Sequence, residues 1–314
     1  MKVKYVGIKL KSDCAAISSE EFYEELESIS GLIVESPSAE RHFYFDNTTR
    51  DGYLLGLVVT LKDQRRFCKA SLDDGELTLK TEDLIGDDKL VDFNFLAIRK
   101  DTRKGVYQYY HNSCSANVFG DVCKKIFYNK KELLIHDEYL VLAPGEAAYD
   151  NSKQYKKAQK KYAGRPKFAI LIDSREVDQI IRSYRKVKEL DVTFEAVESP
   201  TDAAIAARQL SDSVSLKYRI GVVEDVENIA QAARQLCNTL GFLRGKAVAE
   251  DEFGEERIIN LINCPHDFGQ EDFDELAYRV DELKASEFCD NDILDDLISI
   301  LEKPENAPIF AVDN

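Results

Sequence analysis

Phe93-Asn94-Phe95-Leu96-Ala97-Ile98-Arg99, a charged turn from Lys100 to Gly105, then Val106-Tyr107-Gln108-Tyr109-Tyr110: two apolar, aromatic-rich runs around a polar turn read as paired antiparallel strands. The same pattern stands twice upstream. His42 to Asp46 and Tyr53 to Lys62 flank Asn47-Thr48-Thr49-Arg50-Asp51-Gly52, which closes with Asp-Gly, and Phe67 to Leu72 and Glu76 to Lys80 flank Asp73-Asp74-Gly75. Three hairpins in succession predict a meandering antiparallel sheet. Lys2 to Leu10 adds a strand by its alternation of charged and apolar residues. Ser18 or Ser19 offers an N-cap for a helix to about Ser28 with Phe22, Leu26 and Ile29 on one face, ended by Gly31. Ser115 to Tyr128 reads as a short helix with Val118, Val122 and Ile126 on one side, and Lys124, Lys125, Lys130 and Lys131 at its carboxyl end complement the helix dipole.

The second half changes rhythm. An apolar run from Phe168 to Ile172, a helix from Ser174 to Lys188 and a strand from Val192 to Val197 come first. A helix opened by Ser199-Pro200-Thr201-Asp202 and running to about Leu210, a strand from Leu216 to Val223 and a helix from Asp225 to Leu240 follow. Lys246 to Ala249 and Arg257 to Ile262 read as a hairpin, and two acidic amphipathic helices, Glu271 to Lys284 and Asn291 to Leu301, close the chain. In these last helices Phe273, Leu276, Ala277 and Val280, then Ile293, Leu294, Leu297, Ile298 and Leu301, form the apolar stripes. The expected class is α+β: an antiparallel-sheet-rich domain over 1–145, a basic hinge over 146–166 around Pro144-Gly145 and Gly164-Arg165-Pro166, and a mixed strand and helix domain over 167–314 with an acidic end.

Length and composition support that division. The 314 residues suffice for two domains, and 44% hydrophobic content is ordinary for a folded chain. No stretch approaches the roughly 20 apolar residues of a membrane span, and Met1-Lys2-Val3-Lys4-Tyr5 lacks a signal-peptide run. The seven cysteines contain no C-x-x-C pair, which fits reduced thiols and a cytoplasmic protein. Charge, by contrast, is segregated. Up to Ala249 basic and acidic residues are equal at 38 each, whereas Glu250 to Asn314 holds 20 acidic and 4 basic residues and supplies the whole net charge of −16.

Catalytic signatures are missing. Neither G-x-x-x-x-G-K-[ST] nor G-x-G-x-x-G occurs, which disfavours phosphate-loop nucleotide hydrolysis, and G-x-S-x-G is absent. Cys264-Pro265-His266 with Cys289 lacks paired zinc-ligand spacing, and His111 beside Cys114 lies at a strand-to-helix junction. Asp251, Glu252, Glu255 and Glu256 near Lys246 and Arg257 have the ingredients of a metal-dependent nuclease, but four acids around one turn are more commonly surface charge. The reading is therefore non-enzymatic, with no cofactor and no metal, and nuclease chemistry kept as the lesser alternative.

The sharper signal is basic. Lys153, Lys156, Lys157, Lys160, Lys161, Arg165 and Lys167 follow one another without a carboxylate, with Tyr155 and Tyr162 interleaved and Tyr149 just before. In a helix Lys153, Lys157 and Lys160 follow i, i+4, i+7 spacing, and like charges so placed repel. A polyanion relieves that repulsion and releases counterions. Arg182, Arg185 and Lys186 extend the charge at i, i+3, i+4 on the expected helix from Ser174, so these ten cations form the candidate nucleic-acid site for phosphate contacts without strong sequence preference. A solvated linker is the plain alternative for a lysine run alone.

The order of Phe93-Asn94-Phe95-Leu96-Ala97-Ile98-Arg99, its charged turn and Gly-led strand, then Leu190-Asp191-Val192-Thr193-Phe194 and Lys246-Ala247-Val248-Ala249-Glu250-Asp251-Glu252-Phe253-Gly254-Glu255, resembles the RexA family of phage-exclusion proteins. The soluble KwaB component of the Kiwa defence system is similar in size and role. The resemblance implies a homodimeric, cytoplasmic antiviral protein that binds double-stranded DNA and signals to a membrane-embedded partner protein, which would recruit it to the membrane. It assigns no residue a role. The alternative from another class is a protein-interaction module or DNA mimic built on the acidic helices. A further expectation links the two charged regions: acidic helices folded back on the lysine segment would screen it from DNA.

Overall fold

The computed structural model describes residues 1–36, 39–64, 66–73, 76–86, 88–143, 152–195, 213–221, 226–237, 239, 242–250, 254–261 and 267–312. They form an α+β protein of two compact units, Met1–Phe168 with Phe268–Val312, and Ala169–Asp267. This differs from the division expected at 145 and 167. The acidic end belongs with the first unit, because its apolar stripes find their burial there. The expected helix from Ser199-Pro200-Thr201-Asp202, the Cys264-Pro265-His266 group and Asp251 to Phe253 lie outside the described residues.

In the first unit β1 (Lys2–Ser12), β2 (Leu32–Ser36), β3 (Ala39–Asp46), β4 (Tyr53–Lys62), β7 (Leu90–Arg99), β8 (Lys104–Tyr109), β9 (Pro166–Ile170) and β14 (Asp267–Asp272) make one sheet. Its order is β14-β1-β8-β7-β4-β3-β2, with β9 also pairing β1. The first and third expected hairpins are β3–β4 and β7–β8, and β4 meets β7 in antiparallel register from Tyr53↔Arg99 to Lys62↔Leu90. The middle hairpin, β5 (Arg66–Asp73) and β6 (Glu76–Asp83), leaves the meander as a two-stranded ribbon of its own.

β7 explains its own unalternating sequence. Phe93, Phe95, Leu96, Ala97 and Ile98 are all buried because the sheet is covered on both faces. On one face lie α1 (Ser19–Ser28), capped by Ser18 in a reciprocal box with Glu21, and α2 (Ala116–Leu142), capped by Ser115. Phe119 of α2 meets Phe45 and Tyr107, whose strands are joined through the pairs Phe45↔Gly56, Gly56↔Leu96 and Leu96↔Tyr107. The opposite face takes the acidic end. There Phe273 meets Phe93 at 5.7 Å and Tyr110 at 5.1 Å, and Phe93 stands at the other parity of β7 from Leu96.

The acidic end comprises α6 (Phe273–Arg279), a 3₁₀ turn at Ala285–Asp290, α7 (Ile293–Glu302) and α8 (Ala307–Phe310). Of the expected stripe, Ile293, Leu294, Leu297 and Leu301 are buried and Ile298 is half-buried, while the first expected helix is cut to two turns, β14 taking its first two residues and the chain leaving the helix after Arg279. Lys104, 9% exposed, donates its ammonium to the carbonyls of Ile309 and Ala311 at 3.1 and 2.8 Å and ties down the end of α8.

Side chains complete the sheet where β8 leaves β7. The backbone amides of Phe95 and Phe93 donate to the Gln108 side-chain carbonyl and the Tyr110 hydroxyl, and the Asn94 side-chain Nδ2 donates to the Gln108 backbone carbonyl and the Ser113 hydroxyl. Buried backbone donors without such partners would be costly.

In the second unit β10 (Lys186–Glu195), β11 (Ser213–Arg219), β12 (Phe242–Glu250) and β13 (Glu256–Asn260) form a sheet in the order β11-β10-β12-β13. Val177 and Ile181 of α4 (Ser174–Arg182) and Ala230 and Ala233 of α5 (Val226–Cys237) share a core with Leu190, Val192, Ala247, Ala249 and Ile259.

Candidate nucleic-acid interface

The lysine run forms α3 (Lys153–Lys161), with Ser152 as N-cap accepting from the Tyr155 amide at 3.0 Å. It is a packed helix of the first unit rather than a hinge. Ala158 and Tyr162 are buried, and Tyr155 meets Tyr139 of α2 edge-on at 6.0 Å. All five lysines are exposed. At about 100° per residue they fall within an arc of about 140°, opposite the stripe of Tyr155, Ala158 and Tyr162.

The cations of this segment divide by what they touch. Lys161 pairs with Glu138 of α2, which raises the lysine's pKa. Lys167 pairs with Asp13, which Lys11 also approaches at 2.9 Å. Partial burial pushes the Asp13 pKa up, but these two ammonium groups outweigh it and hold the carboxyl below its usual value. Asp13 also donates its amide to the Arg165 carbonyl at 2.9 Å. Gly164, at φ +118°, lets this turn lie against Cys14: a Cβ there would stand 2.5 Å from the Cys14 Cα. Lys131 donates to the Gly164 carbonyl at 2.8 Å. Lys153, Lys156, Lys157 and Lys160 remain, without an ion pair among the described residues.

Several expectations are corrected here. Helix α2 runs to Leu142, so Lys124, Lys125, Lys130 and Lys131 stand along its middle rather than at its carboxyl end. Lys124 pairs with Asp121 and Lys130 with Glu25. Its buried face is Phe119, Cys123, Ile126 and Phe127, whereas Val118 is exposed. Arg182, Arg185 and Lys186 do not share a helix, because α4 ends at Arg182 and Lys186 begins β10. Arg182 is held by Asp178 through two hydrogen bonds, at 2.7 and 3.0 Å, and by Glu227. Arg185 lies in the turn, its amide donating to the Glu250 carbonyl at 3.0 Å. These three cations belong to the second unit and the other seven to the first.

The screening expectation also fails geometrically. The lysine helix lies on the α2 side of the sheet and the acidic helices cover the other side. The acidic end finds its cations elsewhere: Asp272 near Met1 and Lys2, Asp295 with Arg50, and Glu271, Asp292 and Asp296 around Arg279.

Around the hairpin considered for nuclease chemistry, Glu250 and Glu256 share Lys188, and Glu255 pairs with Arg257. Among the described residues no three His, Cys, Asp or Glu side chains gather as metal ligands. The thiols of Cys114 and Cys123 are buried, which raises their pKa values and suppresses the thiolate. Among the described residues no helix is long and apolar enough to cross a membrane.

Fold and surface thus define an α+β protein with a cationic helix on one side of its main sheet and an acidic helical layer on the other. Searches against models of known protein families and against curated proteins return no match.

Proposed function

We propose that this protein is a cytoplasmic DNA-binding component of an antiphage exclusion system, gripping the phosphate backbone of double-stranded DNA through α3 without strong sequence preference. One observation carries the reading: five exposed lysines share one face of a helix whose other face is packed, and four of them have no ion pair among the described residues. Three like-charged i, i+4 pairs, 153–157, 156–160 and 157–161, oppose formation of α3 in isolation. A phosphate backbone along that face converts the repulsion into affinity that falls steeply with salt. Arg182, Arg185 and Lys186 are left out of this contact. The defence role, the homodimer and the membrane-embedded partner rest on the resemblance to the RexA family alone.

The test is a duplex titration at two salt concentrations. Changing Lys153, Lys156, Lys157 and Lys160 to Glu, with Lys161 kept for its pairing with Glu138, is expected to weaken binding by ~100-fold at low salt. The salt slope should flatten by roughly one unit for each phosphate that the variant no longer neutralises. Equal affinity in that variant and the parent removes α3 as the site.

A further inference from the structure

The two charged surfaces of the first unit cannot meet within one chain, yet each keeps several charges without an ion pair among the described residues. On the acidic side Asp274, Glu275, Asp281, Glu282, Asp290 and Glu305 are exposed and carry no ion pair among the described residues. Four of them flank in the chain Tyr278, which is 83% exposed: Asp274 and Glu275 stand four and three residues before it on α6, and Asp281 and Glu282 three and four residues after it in the turn beyond the helix. A bare tyrosine among unpaired carboxylates suits a partner carrying ammonium groups, which pair with the acids and rest on the ring face. The helix α3 has that chemistry. Its four lysines without an ion pair among the described residues rise in one arc above a packed base, so no backbone has to be ordered when they are met.

We infer that α3 of one molecule docks on α6 and the Asp281–Glu282 turn of a second copy. The acidic surface and the lysine helix lie on opposite sides of the same sheet, so the contact is heterologous: each copy offers one surface of each kind, and chains of molecules or a closed ring result. DNA and the acidic surface then compete for the same lysines. Self-association is thereby a reversible store of the nucleic-acid face, released by polyanion or by salt. The contact uses the lysines of the proposed DNA site but does not require DNA to be their ligand.

Light scattering and sedimentation of the full chain test this with a charge swap. One variant carries Lys153, Lys156, Lys157 and Lys160→Glu. The other carries Asp274, Glu275, Asp281 and Glu282→Lys, all exposed positions, with unchanged circular dichroism and melting as the control for folding. The parent should associate at low salt and dissociate when salt is raised or short duplex DNA is added. Each variant alone should associate at least tenfold more weakly, and an equimolar mixture of the two should regain a complex. The acidic-side variant should still bind DNA, so weakened association is separable from weakened DNA binding. A parent whose mass does not change with concentration at low salt, association indifferent to either set of substitutions, or a mixture that stays dissociated would overturn the inference. If association follows the swap while no form of the protein binds DNA, the docking stands and the DNA reading falls.

Discussion

At Gly120 a methyl group would stand 2.2 Å from a ring carbon of Phe168 and 2.4 Å from the next. The site lies inside α2, where alanine is the better helix former by about 1 kcal/mol. Overpacking of a filled contact costs about 1–3 kcal/mol, so the clash should win. Gly120→Ala is therefore expected to lower stability, read as a drop in the denaturant midpoint; an unchanged or higher midpoint would mean that Phe168 moves aside freely. No local signal marks this residue, because a glycine in a helical pattern reads the same whether it faces solvent or a ring brought from 48 positions away. Gly164 is different. Its place after Tyr162-Ala163 and before Arg165-Pro166 already marks a turn, and its positive φ is what that turn uses.

Among elements, the lysine spacing of α3 is legible in the sequence, because periodicity fixes which side chains share a face. That the segment is a packed helix with Ser152 as its cap, and not a hinge, is decided by the fold. The partner of the buried face was not legible. Tyr155 meets Tyr139, so Tyr155→Ala should loosen α3 from α2 while leaving every lysine in place. The expected outcome is weaker DNA binding together with faster proteolysis within 152–163; cleavage without any drop in affinity would show that docking of α3 does not matter to DNA binding. The opposite lesson comes from α4. The pattern from Ser174 runs on through Lys188, but Lys186↔Glu250 and Val187↔Ala249 pairing takes those residues into β10. A long-range strand partner outbids a weak helical preference there.

For the molecule as a whole, the acidic end is the cover of one face of the main sheet. Its segment 268–312 covers the sheet face that bears Phe93 and Tyr5, the latter donating its hydroxyl to Glu271, and Lys104 anchors its last helix. Removing 268–314 would bare that face. Such a truncation should lose cooperative unfolding and bind a hydrophobic dye, instead of simply tightening DNA binding as a screening tail would. A folded truncation with a sharp melting transition would contradict this placement.

What the sequence by itself determined was local and periodic: the hairpins, the cap at Ser18 or Ser19, most of the buried stripe of α7 and the one-sided lysines of α3. Tertiary structure alone decided that the middle hairpin leaves the sheet, that α2 continues to Leu142, and that the acidic helices join the first unit on the side away from the lysines. The physical reason is that spacing along the chain sets which face of an element is apolar, whereas the surface that buries it is chosen among distant competitors by packing and pairing. The charge segregation was visible in composition; that it is a separation across one sheet required the fold.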